Sequence, residues 1–184
     1  MRFAIVVGHN PRDKGAVAYD GTSEFEFNSI LAELVVARLD CAGHDGEVFK
    51  HGTFGGYSTR QRETAARIEE AGQFDAHIEL HFNAANASAE GFEHLHHFLS
   101  KRGEKLANCL NAAHAEIYPG ARNRGVKSLG PNSRGFVFVR LTSAPRVIVE
   151  PFFGDNPADA CEYLNESLKL ADAIVAGLDE FSKV

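Results

Sequence analysis

Three apolar runs, each ending at a side chain able to bind a metal or move a proton, constrain this chain more than any other feature. Arg2–Gly8 reads RFAIVVG and is followed by His9, Ala76–Phe82 reads AHIELHF and carries His81, and Arg146–Glu150 reads RVIVE and closes on Glu150. Such runs suit strands covered on both faces, which is how parallel sheets are built. Helical patterns lie between them. From Ser23 to Ala42 the apolar residues Phe27, Ile30, Leu31, Leu34, Val35 and Leu39 recur at helical spacing, and Gly43 and Gly46 stop the run.

The remaining pattern predicts helices over 58–71, 101–117 and 157–181, and strands over 47–50, 91–99 and 136–141. A loop over 118–134, rich in Gly, Arg and Asn, is expected to border the site. The alternation predicts an α/β fold: a single domain over residues 1–184 with a mostly parallel or mixed twisted sheet and helices on both faces. A chain of 184 residues can bury a core without staples.

A net charge of −6 argues against a nucleic-acid or membrane-surface binder, because both partners call for basic patches. Cys41, Cys109 and Cys161 are odd in number and widely spaced, so they are expected to be reduced cysteines in or near the core. The opening apolar run is too short for a signal peptide and reads as a first strand, and no run has transmembrane length. Synthesis in the cytoplasm is the expectation from this start; the oligomeric state is left open.

In open α/β sheets ligands bind beyond the carboxyl ends of strands, which is where His9, His81 and Glu150 fall. Strand alternation puts His77, Glu79, His81 and Asn83 on one face, opposite Ile78, Leu80 and Phe82. Such a polar row is either a hydrogen-bonded network or the wall of a site. Glu150 calls for a metal, a cation or a catalytic role, and pairing with Arg146 or Arg140 is the plain structural alternative.

Glu24 and Glu26 compete for one place. Ser23 with Glu26 fits a capping box, which gives Glu26 a structural task. Glu24 shares its helix face with Phe27, Asn28, Leu31 and Val35, the stripe that should meet the sheet, so Glu24 is the expected ligand. Two histidines and one glutamate can supply three ligands to Zn²⁺ and leave a fourth position for water, with Glu150 placed to act on that water.

The chain resembles the zinc-dependent N-acetylmuramoyl-L-alanine amidases of the zinc-exopeptidase-like branch, including phage and prophage endolysin catalytic domains. The resemblance runs through Val6-Val7-Gly8-His9, Glu24 with Asn28, Leu80-His81-Phe82-Asn83-Ala84, Gly91-Phe92-Glu93, Arg124-Gly125-Val126-Lys127 and Val149-Glu150-Pro151-Phe152-Phe153 with Asn156. It implies a peptidoglycan or muropeptide substrate, Zn²⁺ on His9, Glu24 and His81, and Glu150 as the catalytic glutamate. Asn83, Asn156 and Arg124 are its candidates for holding substrate.

Two departures from the family pattern stand out. Glu79 occupies a place where the family more often has a small hydroxyl residue, and the segment His94-Leu95-His96-His97 is unusually rich in histidine. The latter are expected to be partly exposed strand histidines rather than a second metal site. Rival functions are a zinc exopeptidase, an N-acyl-amino-acid hydrolase, or a wall-binding module without activity. The absence of a signal peptide and of a wall-binding module favours a lysis enzyme that reaches the wall after release, ahead of a recycling enzyme for soluble muropeptides.

Overall fold

The computed structural model describes residues 1–184. Six strands form one sheet in the order β2-β1-β3-β6-β4-β5. They are β1 (Arg2–Val7), β2 (Asp45–Lys50), β3 (Ala76–Leu80), β4 (Phe92–His97), β5 (Asn123–Leu129) and β6 (Arg146–Glu150). All neighbours run parallel except β4 and β6, which are antiparallel, so the sheet is mixed. The helices are α1 (Glu24–Cys41), α2 (Tyr57–Glu70), α3 (Lys101–Ile117), α4 (Phe136–Arg140), α5 (Pro157–Asn165) and α6 (Ser167–Ser182). None is long and apolar enough to cross a membrane.

Strand alternation divides the interior in two. Phe3, Ile5, Val7, Ile78, Leu80, Val147 and Val149 face α1, α3 and α6 and build the larger cluster. Ala4, Val6 and Ile148 face the other way and pack with Ile68 of α2 and with Phe138 and Val139 of α4. The central strands therefore carry apolar residues at every position because both faces are covered. Along α1 the buried side chains are Glu24, Phe27, Asn28, Leu31, Ala32, Val35 and Leu39, the stripe expected from helical spacing; Ile30 is 62% exposed and lies outside it.

Several expectations need correction. The segment 118–134 is not all loop, since it contains β5. An edge strand carrying Asn123, Arg124, Lys127 and Ser128 looks like loop in composition, because charge on an exposed edge is how sheets avoid pairing with other chains. The expected strand over 136–141 is the short helix α4: a five-residue apolar run has no period that separates the two states, and Gly135 at φ 83° turns the chain into the helix. The single helix expected over 157–181 is broken at Glu166 into α5 and α6. The cysteines are all free as expected, and the half-buried Cys109 packs against the larger core cluster, but Cys41 and Cys161 are exposed.

The histidine-rich strand also differs from expectation. His94 and His96 are buried, on the side of the sheet that faces α3, while His97 points the other way and stacks on Phe136. They do not converge, and no metal-ligating group of three includes them. His94 packs edge-on to His114, whose ring stacks on Phe92 and whose Nε2 is 2.9 Å from the Tyr163 hydroxyl. Burial holds His94 down at about 4, from an ordinary 6.5, and lowers His77 to about 3.

This burial sets an acid limit on the fold. Because the folded state keeps these rings neutral, the unfolded state binds more protons between pH 4 and 6.5, and stability must fall as pH drops through that window. Each such histidine contributes on the order of a few kcal/mol to the loss. Melting of chelator-treated protein is expected to drop steadily from about pH 6.5 to 4. His94→Leu should flatten that slope; an unchanged slope in the variant would count against the account.

Candidate metal centre

His9 leaves β1 with φ 64°, a left-handed conformation uncommon for a residue with a side chain, and so turns its ring back over the sheet edge. His81 follows directly on β3, the strand paired with β1. Ser23 caps α1, with the full capping box to Glu26 present, and this starts the helix so that Glu24 is its first residue. A carboxylate there also complements the positive end of the helix. Glu26 stays outside, bonded to Ser23 and paired with Lys14 at 2.6 Å.

Glu24 reaches both histidines. Its Oε2 lies 3.0 Å from His9 Nε2 and its Oε1 lies 2.7 Å from His81 Nδ1. Two main-chain groups steady the same carboxylate: Phe82 N–H donates to Oε1 at 3.1 Å and Ala16 N–H to Oε2 at 3.0 Å. The ligating atoms of His9, Glu24 and His81 lie within 4.8 Å of one another, and this is the one cluster in the chain with that property. Burial pushes the Glu24 carboxyl up, but hydrogen bonds from His81 and His9 outweigh it and hold the group well below the usual carboxylate range.

Two glycines make the room. A Cβ on Gly15, whose φ is +77°, would stand 2.5 Å from Glu24 Oε2 and 2.7 Å from His9 Nε2. One on Gly8 would stand 2.5 Å from His81 Cε1. Both distances are far inside contact, so the cluster requires bare backbone at both places. Two imidazoles and one carboxylate in a cradle this close match the donor set of a catalytic zinc site with an open fourth position.

Glu150 ends β6 between β3 and β4, opposite Glu93 in the antiparallel register. It forms no ion pair; Arg146 instead donates to Thr142 Oγ1 and to the Phe138 carbonyl, so the structural alternative of an Arg146 partner is not realised. Glu150 Oε2 is buried without a hydrogen-bond partner. Burial raises its carboxyl to about 8; His81 opposes the rise, and Glu24, Glu93 and Glu79 add to it.

Glu93 is a site residue that the pattern of apolar runs did not reveal. It accepts from Asn83 Nδ2 at 3.2 Å and from Arg124 Nε at 3.1 Å, and so ties two of the three expected substrate-holding residues to the strand beside Glu150. The signal was the segment Gly91-Phe92-Glu93, whose glutamate had no assigned role. Arg124 also lies over the Phe153 ring at 4.9 Å. Asn156 differs from expectation: it caps α5 through Ala158 N–H and donates to the Ala89 carbonyl, so both ends of its amide serve the main chain.

The fold and the cluster together define a mixed-sheet α/β domain with a His-Glu-His donor set at its sheet edge. A family model described as N-acetylmuramoyl-L-alanine amidase matches residues 4–180, and the chain belongs to that family. It is 29% identical over 182 residues to the uncharacterized protein YqiI of Bacillus subtilis, covering 96% of this chain and 82% of that one. To the Bacillus subtilis amidase LytC it is 27% identical, over 83% of this chain but only 29% of LytC. To the endolysin of Bacillus phage SPP1 it is 26% identical, over 83% of this chain and 55% of the endolysin.

Among solved structures, the catalytic domain of the CD27L endolysin superposes with a TM-score of 0.83 at 24% identity, covering 97% of this chain and 96% of that one. The amidase AmiC2 of Nostoc punctiforme gives 0.81 at 20% identity, covering 100% and 98%. These likenesses establish the fold as that of amidase catalytic domains.

The two glutamates of α1 should separate cleanly on mutation. Glu26→Ala is expected to cost about 1 kcal/mol through the lost cap and to leave zinc uptake intact. Glu24→Ala should abolish stoichiometric zinc uptake by the folded protein, read by elemental analysis after dialysis. Full zinc occupancy in that variant would reverse the assignment.

Proposed function

We propose that this domain hydrolyses the amide joining the lactyl group of N-acetylmuramic acid to L-alanine, with Zn²⁺ held by His9, Glu24 and His81 and with Glu150 as the general base. The observation that carries this reading is the Glu24 carboxylate, fixed between two imidazoles at 3.0 and 2.7 Å and cradled by Gly8 and Gly15. When bound, Zn²⁺ supplies Lewis acidity, polarising the scissile carbonyl and making water a stronger acid.

The protein's own groups do the rest. Glu150 accepts the proton of the attacking water and then delivers it to the departing alanine nitrogen. Arg124 and Asn83, linked through Glu93, stand where carbonyl or carboxylate groups of the stem peptide can be bound. The amidase LytC and the SPP1 endolysin among the relatives support peptidoglycan as the substrate.

Glu150→Gln keeps the shape of the side chain and removes the base. The variant is expected to fold, keep near-normal zinc and bind substrate, while turnover of purified sacculi falls by at least roughly a hundredfold. Zinc loss in this variant would make Glu150 a ligand, and preserved turnover would remove it from the mechanism. Sacculi and soluble muropeptides assayed side by side, with products identified by mass spectrometry, test the substrate: release of stem peptides from muropeptides alone would favour recycling.

A further inference from the structure

Glu79 lies on β3 two residues before His81 and is fully buried, with an exposure of 0%. A carboxylate so placed is costly unless its oxygens are engaged. Its Oε1 accepts from His51 Nε2 at 2.8 Å and from Gln61 Nε2 at 2.7 Å. His51 is fixed in turn by Thr64, whose hydroxyl lies 2.8 Å from Nδ1. Because the carboxylate can only accept, His51 carries a proton on the Nε2 that faces it, and Nδ1 is paired with the Thr64 hydroxyl.

Both protein donors thus land on one oxygen. The other, Oε2, is buried with no hydrogen bond and is 3.5 Å from His81 Nε2. The opposite nitrogen of the same ring, Nδ1, is the one that faces Glu24. On its other side the His81 ring is confined by Gly8, where a Cβ would stand 2.5 Å from Cε1.

We propose that Glu79, anchored by His51, Gln61 and Thr64, is a positioning carboxylate for His81: its Oε2 accepts from the Nε2–H and so leaves Nδ1 free for the metal. This deepens the metal-centre reading and rests on it. Ligand histidines commonly donate their second ring N–H to a carboxylate, which sets tautomer and orientation and makes the ring a better donor. Here that carboxylate comes from β3, two residues before the histidine it orients, and His51, just past β2, with Gln61 of α2 supplies the clamp. The buried negative charge also offsets a dication held by only one first-sphere carboxylate.

A glutamine at 79 cannot do both jobs. Its single oxygen can serve either the His51–Gln61 side or His81, and its NH₂ then meets a donor at the other. Glu79→Gln is therefore expected to weaken the Zn²⁺ affinity of the folded protein about 10- to 100-fold, read by chelator competition at equilibrium. The absorption bands of the Co²⁺-substituted protein should shift as well. Thr64→Val, nearly isosteric and remote from the metal, should lower zinc affinity several-fold through the same chain.

Unchanged zinc affinity in both folded variants, with or without a drop in apoprotein melting temperature, would reduce Glu79 to a buried brace between α2 and β3 and overturn the proposal. If Glu79→Gln fails to fold, Thr64→Val alone decides. Failure of the wild-type protein to take up zinc would sink the metal-centre reading itself, and the proposal with it.

Discussion

Everything in the site hangs on the contact of the Glu24 carboxylate with His9 and His81. Those three residues come from the start of α1 and from the ends of β1 and β3, and 57 residues separate the first carboxylate from the last imidazole. Their meeting requires β1 and β3 to be adjacent and parallel, so that both strands end at one edge. It also requires α1 to begin at that edge, which the Ser23 cap ensures by stopping the helix one residue before Glu24. The left-handed turn at His9 and the bare backbone at Gly8 and Gly15 are local concessions that let the three side chains close.

The same edge gathers more negative charge than its surroundings balance. Glu24, Glu93 and Glu79 all act on Glu150 there, and the imidazoles of His9, His51 and His81 are the principal partners of Glu24 and Glu79. Only Glu93 has an arginine, Arg124. Two buried carboxylates, Glu24 and Glu79, with the half-buried Glu150 beside them, suit a centre that would hold a divalent ion. The fold carries the burden because two hydrophobic clusters, one on each face of the sheet, keep the strands in register.

Legibility in the sequence followed the strength of the local signal. The three central strands were plain because strands buried on both faces need continuous apolar runs, and α1 was plain because its buried stripe recurs at helical spacing. The exposed edge strand β5 was hidden, since its polar residues match those of a loop, and α4 was mistaken for a strand because five residues hold too little period. Asn156 was a candidate through its place in a family segment, and the contacts of its amide, the cap of α5 and the Ala89 carbonyl, were not legible there.

The sequence alone determined which residue types close the central strands, that Glu26 caps α1 and that Glu24 shares the buried face of that helix. These follow from local rules of alternation, periodicity and capping, which act within a few residues. What only the tertiary structure decided is which groups meet: the Glu24 oxygens between two imidazoles, Glu93 joining Asn83 to Arg124, Glu150 without an arginine partner, and Glu79 clamped by His51 and Gln61 behind His81. These contacts depend on strand order, register and helix placement, and those are set by how the whole chain buries its apolar surface.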